Sequence, residues 1–208
     1  MSVAKPLTIG LPTGRILDPV VELFRDAGIR LNFGHDKRSL TPSGGPEGFR
    51  FLVLRPEDSA GLIERGIVDA AFIGADVYEE LGAKKYAERL LDTGLSPVKL
   101  CAAAAQEQLD RVKQALQDRQ PLRAATKYPQ CTKNWAVDRL HTLDTFPVRG
   151  SVEAFARLGF DFIVDVVDSG QTLSANSLSV VEEISTSTTC LFGTSAASKD
   201  SRLSELLY

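Results

Sequence analysis

The chain has 208 residues, with 24 Lys and Arg, 27 Asp and Glu and 2 His, and a formal net charge of −3. Apolar side chains at 43% and charged ones at 25% give the composition of a folded globular chain, which excludes intrinsic disorder. The mildly acidic balance excludes a general electrostatic grip on nucleic acid or on an anionic membrane, and it leaves room for a local basic pocket. Cys101, Cys131 and Cys190 contain no Cys-x-x-Cys spacing, and with only His35 and His141 they build no zinc constellation. A sparse, odd set of cysteines suits a reducing compartment. The apolar stretch near the N-terminus is too short for a signal-peptide core, and the run 100–105 falls far below the roughly 20 residues of a membrane-spanning helix. A cytoplasmic location is expected.

In chain order the pattern alternates between strand and helix. A strand over 7–11 leads through Pro12-Thr13-Gly14 into a helix with apolar residues at 16, 17, 20, 21, 23, 24 and 27. Thr13 is placed to cap it and Gly28 to end it. A strand is expected over 29–33, then a Gly- and Pro-rich loop over 34–48, then a strand over 49–55. Pro56 with Glu57 and Asp58 starts a helix that ends near Gly66, since Pro suits its first position and acids suit its positive end. A strand over 68–73 and a helix over 75–81 follow. Strands over 88–92 and 98–104 are expected on either side of a Thr-Gly-Leu-Ser-Pro break.

The second half repeats the style, with helices over 106–117, 130–140 and 151–158 and strands over 122–126, 143–148 and 162–167. After an Asp-Ser-Gly turn come strands over 178–184 and 188–192 and a terminal helix over 195–207. Strands separated by helices of this length build βα units and mostly parallel sheet. The break at 93–97 is the best domain boundary. Two lobes would carry a ligand cleft between them, at the carboxyl ends of strands.

The segment Asp165-Val-Val-Asp168-Ser169-Gly170-Gln171-Thr172-Leu173 carries the most chemistry. An apolar strand runs into hydroxyls around a glycine, with a helix following. Such a turn offers N–H groups and hydroxyls to an anion, while the acids upstream suit ribose hydroxyls or a Mg²⁺ that bridges to phosphate. A 5-phosphosugar fits, and so does an ordinary capped strand-to-helix turn.

This stretch resembles the phosphoribosyl-pyrophosphate (PRPP) loop of the ATP phosphoribosyltransferase family. LTIGLPTGRI, FLVLRPEDSAGLIERGIVDAAFIGADV, ATKYP, RGSVEAFARLG and SANSLSVVEEI resemble further signatures of that family in the same order, over nearly the whole chain. Thr13 stands where the family usually has Lys, LSPVKL replaces its usual stretch after the first lobe, and the spacing from Gly159 to Asp165 is one residue shorter.

The resemblance implies an α/β, two-lobe fold like the type II periplasmic binding proteins, with mixed, mostly parallel sheets. Lobe I would be 1–94 plus 180–208, and lobe II, with the PRPP loop, 95–179. It implies the short catalytic form, without a C-terminal regulatory domain. The activity implied is transfer of phosphoribosyl from PRPP to N1 of ATP with Mg²⁺, the first step of histidine biosynthesis. It also implies a homodimer within a hetero-oligomer that contains a regulatory subunit related to histidyl-tRNA synthetase.

Residue by residue, it implies that Asp165 and Asp168 bind ribose hydroxyls and help hold Mg²⁺, and that Asp165, Asp168 and Arg15 act in catalysis. Asp168, Ser169, Gly170, Gln171, Thr172 and Leu173 would cradle PRPP. Arg15, Arg38, Arg55, Lys127 and Glu153 would face ATP and the polyphosphates. Bland readings stand beside these: exposed arginines, a surface Lys127, and Glu153 complementing a helix dipole. Asp69 and Asp76 read as local structural acids, and Cys131, Trp135 and His141 as packing residues. The rival functions are a non-catalytic two-lobe binding or sensor protein for an anionic ligand, a degenerate subunit, and a phosphoribosyltransferase acting on another base.

Overall fold

The computed structural model describes residues 5–35 and 39–207. In chain order the elements are β1 (Leu7–Pro12), α1 (Leu17–Asp26), β2 (Leu31–Asn32), β3 (Ser43–Gly44), β4 (Phe49–Leu54), α2 (Pro56–Glu64), β5 (Ala70–Gly74), α3 (Ala75–Glu80), β6 (Glu88–Ala105), α4 (Leu109–Gln117), β7 (Leu122–Thr126), α5 (Pro129–Asp138), β8 (Leu143–Pro147), β9 (Phe162–Val167), α6 (Gln171–Ala175), β10 (Leu178–Gly193) and α7 (Ser201–Leu207). The described chain divides into two compact units, Met1–Ser96 with Thr188–Tyr208, and Pro97–Ser187. The chain passes from one to the other within β6 and returns within β10.

In the first unit the strand order is β4-β1-β5-β10. β1 runs parallel to β4 from Leu7↔Phe49 to Pro12↔Leu54 and parallel to β5, while β10 returns antiparallel to β5. The strands are apolar on both sides, so each face carries its own core. On one side Ile9, Leu11 and Phe72 pack with Val20 and Phe24 of α1 and Leu203 of α7. On the other, Ala71 and Ile73 pack with Ala60 and Ile63 of α2 and Tyr78 of α3. Successive residues of β5 thus face opposite cores, as the two-residue strand period requires. Asp69 has the structural role expected of it: its carboxylate accepts the Thr8 N–H at 2.7 Å, tying the start of β5 to β1.

In the second unit the order is β6-β9-β7-β8. β7 is parallel to both β8 and β9, and β6 is antiparallel to β9. Leu100, Ala102, Ala124, Phe162 and Val164 meet α4 and α5 through Val112, Leu116 and Trp135. Ala103, Ala125 and Ile163 meet Val152, Ala156 and Leu173 on the other face. The alanines of β6 alternate between these two cores.

Several expected elements differ from the structure. The two strands expected over 88–92 and 98–104 are one strand, β6. Gly94 and Ser96 both have positive φ there, and side chains hold the bend together. Asp92 accepts from Gly94 N–H at 3.0 Å and from the Thr188 hydroxyl at 2.7 Å, and the Thr93 hydroxyl donates to Thr189 O at 2.5 Å. The strands expected over 178–184 and 188–192 likewise merge into β10. The strand expected over 29–33 shrinks to β2, which pairs with β3 inside the expected loop. The helix expected over 151–158 is a 3-10 segment, Glu153–Arg157. The terminal helix breaks at Asp200, whose carboxylate accepts from the Arg202 backbone and pairs with its guanidinium.

Candidate active site

Strand pairing brings the key residues of the second unit together. Thr126↔Val164 are neighbours on β7 and β9, so the residues that follow, Lys127 and Asp165, meet side by side. Lys127 Nζ lies 2.7 Å from Asp165 Oδ2. Asp165 is 8% exposed, and its other oxygen accepts the Val166 N–H at 2.8 Å. Burial pushes the Asp165 carboxyl above its ordinary range, against the pull of Lys127 and the Val166 N–H, and the nearby Glu153 carboxylate adds to the rise. Lys127 and Asp165 therefore form one ion pair, with the Glu153 carboxylate acting on Asp165 from nearby.

A threonine scaffold holds Lys127 in place. The buried Thr126 hydroxyl donates to Val164 O at 2.8 Å and accepts the Tyr128 N–H at 2.8 Å. The Thr132 hydroxyl in turn donates to Tyr128 O at 2.7 Å. Sequence reasoning missed Thr126 and Thr132. Their only signal was a threonine closing an apolar strand and another in the first turn of the helix after Pro129.

β9 ends at Val167, and residues 168–170 turn directly into α6. Asp168 and Ser169 are exposed. Among the described residues Asp168 makes no ion pair or hydrogen bond. Gly170 has φ +75 and stands before α6 with no side-chain cap, a left-handed conformation natural to glycine. The Gln171 N–H points at the Ser169 hydroxyl at 3.5 Å. Gln171 and Thr172 are exposed, whereas Leu173 buries its side chain in the core. Leu173 can therefore serve a ligand through its backbone alone.

Arg15 and Arg55 belong to the first unit. Pro12 and Leu54 are partners at the carboxyl ends of β1 and β4, and Thr13 N–H donates to Leu54 O at 3.1 Å. The turns that follow carry the two arginines out from the same edge. Both are exposed, and among the described residues neither forms an ion pair. Thr13 precedes a short 3-10 turn (Gly14–Ile16) and makes no side-chain cap bond, contrary to the capping role expected of it. Beside this turn a cavity of about 610 Å³ is lined by Gly14, Leu17, Val21, Arg30, Leu31 and Phe33, among others. Arg38 lies outside the described residues.

The described residues hold no group of three or more His, Cys, Asp or Glu side chains able to enclose a metal ion. No described helix is long and apolar enough to cross a membrane. The three cysteines are free thiols.

The family model described as HisG, ATP phosphoribosyltransferase, matches residues 55–208. An ATP phosphoribosyltransferase of Symbiobacterium thermophilum is 36% identical over 92% of this chain and 86% of its own. In fold, the chain resembles a subunit of the ATP phosphoribosyl transferase (HisG:HisZ) complex from Thermotoga maritima, with TM-score 0.74, 21% identity and coverage of 97% of this chain and 98% of that one. It also resembles the GluR0 ligand-binding core in complex with L-glutamate, with TM-score 0.57, 9% identity and coverage of 99% and 92%. These two likenesses establish the α/β class of paired lobes expected from the sequence. On the family model and the close relative, the chain belongs to the ATP phosphoribosyltransferase family.

Proposed function

We propose that this chain transfers the phosphoribosyl group of PRPP to N1 of ATP, releasing pyrophosphate, in the first step of histidine biosynthesis. The observation that carries this reading is the turn after β9. In a chain of this family it presents Asp168, Ser169, Gly170, Gln171 and Thr172 at the strand end, beside the Lys127–Asp165 pair. N1 of adenine bears a free lone pair at neutral pH, so no base must deprotonate it. The N1–C1′ bond forms as the C1′–oxygen bond to pyrophosphate breaks, and C1′ develops oxocarbenium character. Catalysis then rests on positioning and electrostatics rather than on one general base.

In this reading Asp165 and Asp168 bind ribose hydroxyls, and Asp165 is held for that task by Lys127. The Lys127 ammonium has three donors and spends one on Asp165, which leaves others for a phosphate. The backbone N–H groups of 169–173 receive the 5-phosphate. Arg15 and Arg55 neutralise polyphosphate, as fork-shaped donors suit. The cavity beside Gly14 offers apolar walls for a base. Glu153 is assigned to the ATP side of the site, and the role of Arg38 toward ATP rests on the family resemblance alone.

The donor set fits Mg²⁺ held mainly by substrate oxygens. Such an ion takes one or two carboxylates plus phosphates. Asp168 is free to supply one, whereas Asp165 is engaged by Lys127 and is the weaker candidate. When bound, Mg²⁺ would neutralise charge on the departing pyrophosphate. We further propose a cytoplasmic location, a homodimer, and a regulatory second subunit related to histidyl-tRNA synthetase; the Thermotoga maritima neighbour, a HisG:HisZ complex, supports the last of these.

The test is a mass-spectrometric assay of the purified chain with ATP, PRPP and Mg²⁺, with and without a candidate second subunit. Phosphoribosyl-ATP is the expected product. PRPP binding without product under either condition would overturn the catalytic reading in favour of a binding subunit.

A further inference from the structure

The second unit contains a polar cavity of about 430 Å³, formed by residues with no part in the proposed reaction. Lys113 comes from α4, Arg119 from the turn after it, Arg139 and His141 from the end of α5, and Glu182 from β10. Three cations face one carboxylate, and the carboxylate is already committed. Arg139 lies 3.0 Å from Glu182, and Trp135 Nε1 donates to it at 3.4 Å. Among the described residues neither Lys113 nor Arg119 has an acidic partner. The Nδ1 atom of His141 is buried without a hydrogen-bond partner. On a chain of net charge −3 this is a local excess of positive charge and of unspent donors.

The backbone adds an independent observation. α1, α2 and α3 each exit through a glycine with positive φ, at Gly28, Gly66 and Gly82. α4 and α5, which border the cavity, exit through Arg119 at φ 54 and Leu140 at φ 58, and α6, on the other face, through Ser177 at φ 55. A side chain in that conformation is strained where glycine is not. Arg119 thus occupies a position where the backbone alone favours glycine, so glycine can replace it there without strain.

We propose that this cavity binds a small phosphate-bearing anion. Its size falls in the range of small-molecule sites. A dianion balances the uncommitted Lys113 and Arg119, and a tetrahedral phosphate has oxygens enough for the guanidinium fork and the ammonium together, with the imidazole beside them in the cavity wall. A monocarboxylate would leave charge and donors unmatched.

The test uses the imidazole resonances of His141, which His35 accompanies as the only other histidine of the chain. The full chain is titrated with inorganic phosphate, with pyrophosphate and with acetate, at an ionic strength held constant by KCl. The His141 signal is expected to move saturably with phosphate or pyrophosphate and not with acetate. Arg119→Gly is expected to weaken the response at least tenfold while the melting temperature stays the same or rises, because glycine suits the left-handed exit. Lys113→Ala provides a second variant, also expected to weaken the response. An unmoved His141 signal, an equal response to acetate, or a response that both variants leave unchanged would overturn the proposal. Anions held only at the turn after β9 would give that last result, so the two sites are told apart.

Discussion

Lys127→Met removes the partner of a carboxylate that is 8% exposed. Breaking a fully buried ion pair by removing one partner costs about 3–5 kcal/mol, whereas a fully exposed pair is worth roughly 0–1 kcal/mol. The Lys127 side chain is 38% exposed and that of Asp165 10%, so solvent screens one end only and the pair falls between these limits. A loss of about 2 kcal/mol is expected near pH 8, or roughly 4–8 °C in melting temperature for a chain of this size. Asp165→Asn should cost less, because the amide oxygen still accepts the Val166 N–H and Lys127 can turn to solvent. Adding Lys127→Met to Asp165→Asn should then cost almost nothing more, which is the signature of coupling in a double-mutant cycle.

The pH dependence has a definite sign. The Asp165 carboxyl is raised above its ordinary 3.8 in the fold. Its contribution to stability is therefore fully present below that value and is lost as pH rises through the folded value. Removing Lys127 raises the folded value further. The deficit of Lys127→Met should be small in acid, where Asp165 is protonated in the fold, and should grow toward pH 8. Urea denaturation of the four proteins over a series of pH values descending from pH 8 measures this. Equal stability of wild type and Lys127→Met at pH 8, or strictly additive losses in the cycle, would refute the coupled buried carboxylate.

Asp168→Asn should lower kcat/KM for PRPP by about 10- to 100-fold, the worth of one charge-assisted contact, with an unchanged melting temperature since Asp168 is exposed; undiminished turnover would remove it from the site. Arg55→Ala should raise KM for ATP about tenfold and leave stability alone, because Arg55 forms no ion pair among the described residues; steady-state kinetics with thermal melting checks both. Gly10→Val should cost about 1–3 kcal/mol or more by overpacking, since even a Cβ there would lie 2.7 Å from Ala71 Cβ and 3.3 Å from Ser59 Oγ; a wild-type denaturation midpoint would contradict that close approach of α2 to the sheet. Chelation of Mg²⁺ with EDTA should abolish turnover, with recovery on adding Mg²⁺ back, because no described cluster of side chains can retain the ion by itself.

Local chemistry made much of this protein legible from its residues alone. Strand and helix periods placed most of the repeated βα units, since the apolar pattern of 122–126 or 162–167 depends on neighbours a few residues away. The turn at 168–170 was readable for the same reason, since Asp, Ser and Gly directly after an apolar strand mark a strand-to-helix turn, while its ligand was indicated only by the family resemblance. The order of its motifs along the chain pointed to its family. What sequence could not show were the results of long-range pairing. Residues 93–97 have the composition of a loop, yet they continue a strand, because Thr188 and Thr189, nearly a hundred residues later, hold the bend by hydrogen bonds. Lys127 reads as a surface lysine until β7 lies beside β9 and delivers it to Asp165, 38 positions away. Lys113 and Arg119 come from α4 and the turn after it, Arg139 and His141 from the end of α5, and they become one cationic cavity only when α4 and α5 pack on the same sheet face. Short-range patterns set which elements form, whereas burial and strand order, properties of the whole fold, decided which charges meet.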